Sequence, residues 1–249
     1  MLKSLRLSRG EKRDVYTRRF RREAELLSRL DHPNIVKVFD FWIDVFGAYI
    51  VMEYIDGDTL EHIRKRNLYE FDEGAAIQIM ILLADALNYA WEEMKLLHRD
   101  IKPSNIMLDK DNHLFLLDFG IAKSLDESDA TTLTVEGRGL GTPGYMSPEQ
   151  FRDTRNLKCS ADIYSLGATI YFLLTGEPPF KGNTASEVFY DLLARDPVPL
   201  HEYDPRISEN FSQLIQQTLD RNPLKRPFSW RKLMVNLERV AQGLPPLLS

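Results

Sequence analysis

One cysteine, Cys159, stands among 249 residues. It has no partner in the chain for a disulfide, so the fold must rest on its core, and such usage fits a reducing compartment. Long hydrophobic runs are lacking too. Residues 77–83 and 168–174 are the longest candidates. Both fall far short of the roughly 18–20 apolar residues a membrane-crossing helix needs. No secretory leader opens the sequence. Basic excess is absent, with 32 Lys and Arg against 37 Asp and Glu and a net charge of -5. That argues against a nucleic-acid binder, which normally carries a basic excess or a basic face. No repeat and no low-complexity segment is present. These absences predict a soluble cytoplasmic domain with no membrane segment and no nucleic-acid partner.

What remains is ordinary globular material, 43% hydrophobic and 28% charged, long enough for one large domain or two small lobes. Residues 1–7 alternate as a strand does. Phe20, Ala24, Leu27 and Leu30 recur at helical spacing until His32-Pro33-Asn34 breaks the pattern. Residues 35–43 and 48–54 form a hairpin pattern with its turn at Phe46-Gly47, and Asp56-Gly57-Asp58 ends the second run.

Helical periodicity then dominates. Asp72 is placed to cap a long helix with a stripe of Ile77, Ile81, Ala84 and Leu87, continued by Trp91 and Met94. Short strands are expected at 106–108 and 114–117, and a Gly- and Thr-rich loop at 124–148. A strongly apolar helix is expected at 162–174, stopped by Pro178-Pro179. Further helices are expected at 185–194, 209–219 and 230–240. The pattern is α+β, a sheet-and-helix lobe at 1–55 joined to a mainly helical lobe at 56–249, within one domain spanning 1–249.

Four ordered blocks carry the chemistry. His98-Arg99-Asp100-Ile101-Lys102-Pro103-Ser104-Asn105 comes first, then Asp118-Phe119-Gly120, then Gly141-Thr142-Pro143, then Ser147-Pro148-Glu149. In this order and at these separations they resemble the signature set of protein kinases. The resemblance runs from Lys3 to about Ala241, and Lys102-Pro103 after Asp100 is similar to the serine/threonine type. The stretches 118–122 and 145–150 look similar to bacterial eukaryotic-like kinases.

The resemblance implies a bilobal fold with a truncated small lobe. It implies an enzyme that moves the γ-phosphate of ATP to Ser or Thr hydroxyls of a protein substrate, with Mg²⁺ as cofactor. Such transfer depends on positioning and charge neutralisation. By the resemblance, Asp100 accepts the hydroxyl proton, Lys102 offsets charge on the moving phosphoryl group, and Asn105 and Asp118 hold Mg²⁺ as hard oxygen ligands. Met52 is implied as the gatekeeper, Glu53 and Ile55 as backbone partners of the adenine edge, and Met107 as the floor beneath the ring. Lys3 is implied as the nucleotide-binding lysine and Glu23 as its ion-pair partner, with Met1 above the adenine. Asp162, and the pair Glu149 with Arg226, are implied as structural supports. Thr131, Thr132 and Thr134 fall where an activation loop is phosphorylated, with Arg99 placed to receive the phosphate, and self-association for autophosphorylation follows. Thr142 is implied to contact Asp100 and Lys102.

The sequence departs from the family in one respect. No Gly-x-Gly-x-x-Gly and no pair of strands precedes Lys3. Two accounts stand. One is a start placed too far downstream; the other is a short form acting as a pseudokinase or scaffold. The intact set of Lys3, Glu23, Asp100, Lys102, Asn105 and Asp118 favours the first. The basic run from Arg9 to Arg22 is expected to be a solvated helix face.

Overall fold

The computed structural model describes residues 1–5, 13–119, 143–152 and 156–247. Its first lobe is a three-stranded antiparallel sheet with one helix laid against it. Strand β1 is Leu2–Leu5, β2 is Val38–Ile43 and β3 is Ala48–Met52. The order is β1-β3-β2, with Lys3 opposite Ile50 and Trp42 opposite Tyr49. Alternation sorts the faces. Ala48, Ile50 and Met52 are buried and face helix α1, Arg13–Ser28. Phe20, Ala24 and Leu27 of α1 meet them at the expected spacing, and Phe20 meets Phe41 edge to face. The outer face carries the stacked pair Trp42 and Tyr49. Asp44 closes the β2–β3 turn by accepting from the N–H groups of Phe46 and Gly47.

The second run ends ahead of Asp56-Gly57-Asp58, with β3 closing at Met52. Gly57–Thr59 is a further strand, β4, in a second sheet with β5, Ile106–Asp109, and β6, Leu114–Leu116. Gly57 is required there, because a Cβ on it would lie 2.0 Å from the Leu108 carbonyl oxygen. A glycine that reads as a turn in the sequence is here a close strand crossing.

The second lobe is helical. Among its described helices are α2, Leu60–Lys65, and α3, Glu73–Met94, which Asp72 caps by accepting from the Ala75 N–H at 2.8 Å. Helix α4 is Pro148–Arg152 and α5 is Cys159–Thr175. Helices α6, Ala185–Ala194, α7, Leu200–Tyr203, α8, Glu209–Thr218, and α9, Trp230–Ala241, complete the lobe. Helix α5 is the central post, nearly all buried. It ends at Gly176, whose φ of 86° suits glycine and starts the turn before Pro178 is reached. Helix α3 is long and apolar enough by composition to cross a membrane. It instead packs on α5 and α9, and half of its apolar window is buried inside the fold.

The lobes are joined by backbone as well as by the 53–56 connection. The α1–β2 segment lies on β6: Leu116 donates to the Asn34 carbonyl at 2.8 Å, and Val36 donates to the Leu116 carbonyl at 3.0 Å. The Asn34 side chain adds a bond to the Leu114 carbonyl at 2.8 Å. This suture fixes the small lobe against the second sheet, beside the 98–105 segment.

Candidate active site

The segment 98–105 is held from below by one carboxylate. Asp162, near the start of α5, accepts from the backbone N–H of His98 at 2.7 Å and of Arg99 at 2.8 Å. Arg99 adopts a φ of 63°, a left-handed conformation that a non-glycine residue holds only when its surroundings fix it. Burial pushes the Asp162 carboxyl up from its ordinary range, and His98 and Arg99 oppose that. The expected support role of Asp162 is the geometry found.

His98 is fully buried and ties the 98–105 segment to the strand behind it. Its Nδ1 accepts from the Asp100 N–H at 3.2 Å, so its Nε2 carries the proton and donates to the Leu117 carbonyl at 2.7 Å. Burial lowers its pKa, in keeping with a neutral ring. The ring also lies 4.7 Å from that of Phe119. Neither these contacts nor the role of His98 as a spacer between Asp100 and Leu117 was legible in the sequence.

Asp100, Lys102 and Asn105 converge as expected. Lys102 Nζ lies 2.9 Å from Asp100 Oδ2. Asn105 Nδ2 donates to the Asp100 carbonyl at 2.8 Å and to its carboxylate at 3.0 Å. The Asn105 amide nitrogen is thereby spent on Asp100, and its Oδ1 is the atom left to offer a cation. Leu117 donates to the Asn105 carbonyl at 2.8 Å, which sets Asp118 beside Asn105. Asp118 has a φ of 47°, a second left-handed residue within the site. An amide oxygen and a carboxylate are hard donors, the donor chemistry that suits a magnesium ion.

Above this floor, Met52 is 3% exposed. With Lys3, Asp118 and Phe119 it lines a small cavity closed behind by Leu27 and Ile50. The Glu53 N–H is taken by the Lys37 carbonyl at 2.8 Å, so the carbonyl is the backbone group Glu53 can offer an adenine edge. Ile55 packs partly buried against the core, as does Met107 on β5. Met1 extends the β1–β3 pairing, with its carbonyl accepting from Met52 N–H at 2.9 Å. Its side chain is 53% exposed.

Lys3 has a different partner from the one implied. Its ammonium meets Asp118 Oδ1 at 2.7 Å. Glu23 sits half-buried on α1. The pair Glu149–Arg226 is as expected: bidentate at 2.6 and 2.9 Å, with the arginine fully buried. A residue the sequence did not single out, Gln150, links the 98–105 segment to the start of α4. Its Nε2 donates to the Arg99 carbonyl at 3.0 Å, and its Oε1 accepts from the Ser147 N–H and hydroxyl. Gly120, Thr131, Thr132, Thr134, Gly141 and Thr142 lie outside the described residues, as do Arg9 and Lys12. Arg18, Arg21 and Arg22 are exposed on α1, the solvated face expected.

A two-lobed molecule with carboxylate, lysine and asparagine gathered at the cleft is the architecture of a phosphotransfer domain, and the chain belongs to the protein kinase domain family, whose model matches residues 2–236. Its curated relatives include serine/threonine-protein kinase PknB of Mycobacterium leprae, 38% identical over 232 residues, covering 92% of this chain and 36% of the relative. Another is serine/threonine-protein kinase pkn3 of Myxococcus xanthus, 38% identical over 230 residues, covering 89% of this chain and 42% of the relative. The chain thus spans well under half the length of these relatives. Among solved structures, the Mycobacterium tuberculosis PknI kinase domain superposes with a TM-score of 0.72 at 28% identity, covering 96% of this chain and 84% of that one. The bilobal fold and the kinship with bacterial serine/threonine kinases expected from the motifs are both met.

Proposed function

We propose that this chain is the catalytic part of a serine/threonine protein kinase that uses ATP and Mg²⁺ to phosphorylate protein hydroxyls. The observation that carries the reading is the Asp100 cluster. One carboxylate is oriented at once by Lys102 and by Asn105, on a loop held by Asp162. Asp100 takes the proton of the acceptor hydroxyl and aligns its oxygen. Lys102 is then close enough to offset charge building on the transferred phosphoryl group. Asn105 and Asp118 would hold Mg²⁺, which would supply neutralisation of phosphate charge. Met52, Met107 and the 53–55 backbone frame the adenine, and Lys3 stands ready for the phosphates.

The substrate is proposed to be a protein, self-association to serve phosphorylation of one copy by another, and the site of action to be cytoplasmic. A single cysteine, which is buried, supports that compartment. Incubation with γ-labelled ATP, Mg²⁺ and casein as acceptor, followed by phosphoamino-acid analysis, tests the function. Label on serine or threonine that vanishes without Mg²⁺ is expected. Nucleotide binding with no transfer would instead favour the scaffold reading.

A further inference from the structure

The pairing of Lys3 with Asp118 places a lysine on the carboxylate that is read above as a metal ligand. Both ends are pinned by backbone. Lys3 sits in the β1–β3 ladder opposite Ile50, and the chain is anchored two residues earlier by the Met1–Met52 bonds. Asp118 follows Leu117, whose N–H bonds Asn105 and whose carbonyl accepts from His98. Their side chains are 33% and 31% exposed, so a salt link between them is screened but still felt. Close by, Asp100 is matched by Lys102 at 2.9 Å. Two carboxylates and two ammonium groups therefore balance across the floor of the site. A divalent cation arriving alone finds no surplus negative charge, and the Asp118 oxygen it needs is already engaged.

We propose that Lys3 is the resident counter-ion of Asp118 and competes with the metal for it, so that a nucleotide phosphate, by drawing Lys3 away, opens Asp118 to the cation. This rests on the reading of Asp118 as the metal-holding carboxylate. A lysine ammonium is a compact point charge that binds phosphate readily. Transfer of Lys3 from carboxylate to phosphate leaves Asp118 uncompensated at the moment a cation is needed. Nucleotide and metal then bind with positive coupling, and linkage makes the coupling equal in both directions. The bland alternative is that Lys3–Asp118 only fastens the small lobe to the large one.

The two separate in a Mn²⁺ titration of the nucleotide-free full chain, read by electron paramagnetic resonance. With Lys3→Gln, Mn²⁺ affinity is expected to rise by about two- to fivefold, the span expected for loss of one partly exposed ion pair. Lys3→Arg, which keeps the pair, is expected to stay near wild type. Asp118→Asn is expected to lose the binding. Lys37→Gln removes a lobe charge whose partner is Asp31, and it is expected to change nothing. Lys3→Met carries the same expectation as Lys3→Gln should the glutamine variant not fold. Unchanged or weaker Mn²⁺ binding on loss of Lys3 overturns the proposal. So does equal tightening in Lys37→Gln, or undiminished binding in Asp118→Asn. A chain that transfers no phosphate yet tightens on Mn²⁺ without Lys3 retracts the kinase reading and leaves this inference standing. An active chain whose Mn²⁺ affinity ignores Lys3 does the reverse.

Discussion

Removing Glu149 should expose how much of the second lobe hangs on one buried arginine. Arg226 is 0% exposed, and its guanidinium is fully engaged. It bonds Glu149 twice, the Asp220 carbonyl at 2.7 Å and the Ser160 carbonyl at 2.8 Å. Its plane also lies over the Tyr164 ring, 4.9 Å from the centroid. Loss of one partner from a buried pair costs ~3–5 kcal/mol, since it strands the other charge. Glu149 is 23% exposed, so water can reach the vacated side, and the carbonyl acceptors stay in place. We therefore expect Glu149→Ala to cost about 2–3 kcal/mol, at or just below the bottom of that range. For a chain of this size this is a fall in melting temperature of roughly 4–12 °C. Replacing both residues, as Glu149→Met with Arg226→Met, should cost less than the sum of the single changes, because neither charge is then left unpaired. Urea denaturation followed by far-ultraviolet circular dichroism measures all three. A loss under about 0.5 kcal/mol in Glu149→Ala, within the range of ordinary surface changes, would refute the reasoning. Strict additivity in the double variant would refute it too.

Other expectations follow from single contacts. The Tyr164 hydroxyl is buried with no hydrogen-bond partner. Tyr164→Phe should therefore leave stability unchanged or raise it by up to ~1 kcal/mol, as the same denaturation would show. Gly167 on α5 faces Thr218, whose Oγ1 would lie 2.0 Å from an added Cβ. Gly167→Ala should cost about 1–3 kcal/mol despite the better helix propensity of alanine, and a melting temperature at or above wild type would contradict this. His98 is neutral in the fold, with its pKa lowered by burial. As pH falls through 6.5 the unfolded chain takes up a proton there that the folded chain refuses, so stability contributed by this group is full above that pH and lost below it. A denaturation midpoint that rises between pH 7 and 5.5 in wild type relative to His98→Asn would count against this account of the ring.

Much of the fold was legible because its signals were local. Thr184, Ser208 and Ser229 each cap the helix that follows by accepting from a backbone N–H, and those helices start where the periodicity places them. The convergence of Asp100, Lys102 and Asn105 was legible because they sit within one short loop, where spacing nearly dictates proximity. What escaped depended on distant backbone. Strand β4 hides in an Asp-Gly-Asp sequence that otherwise signals a turn, since its pairing with β5 is made by residues some fifty positions away. Helix α2 is only 6 residues long, too short for a periodic signal. Lys3 meets Asp118, where the family resemblance implied Glu23. The choice of Asp118 is set by where β1 and the left-handed turn at Asp118 meet across the cleft. Gln150 joins two segments through side-chain bonds that no local pattern announces.

The central claim is that Asp100 acts as the base in phosphate transfer, and comparison of Asp100→Asn with wild type tests it most directly. Phosphorylation of casein at saturating Mg²⁺ and ATP gives kcat, and equilibrium titration gives nucleotide affinity. The account predicts that kcat falls by about 10²–10⁴-fold, the usual contribution of a positioned base, while nucleotide affinity stays within about twofold, since a base acts on the transition state and not on ground-state binding. Wild-type turnover in Asp100→Asn would contradict the account.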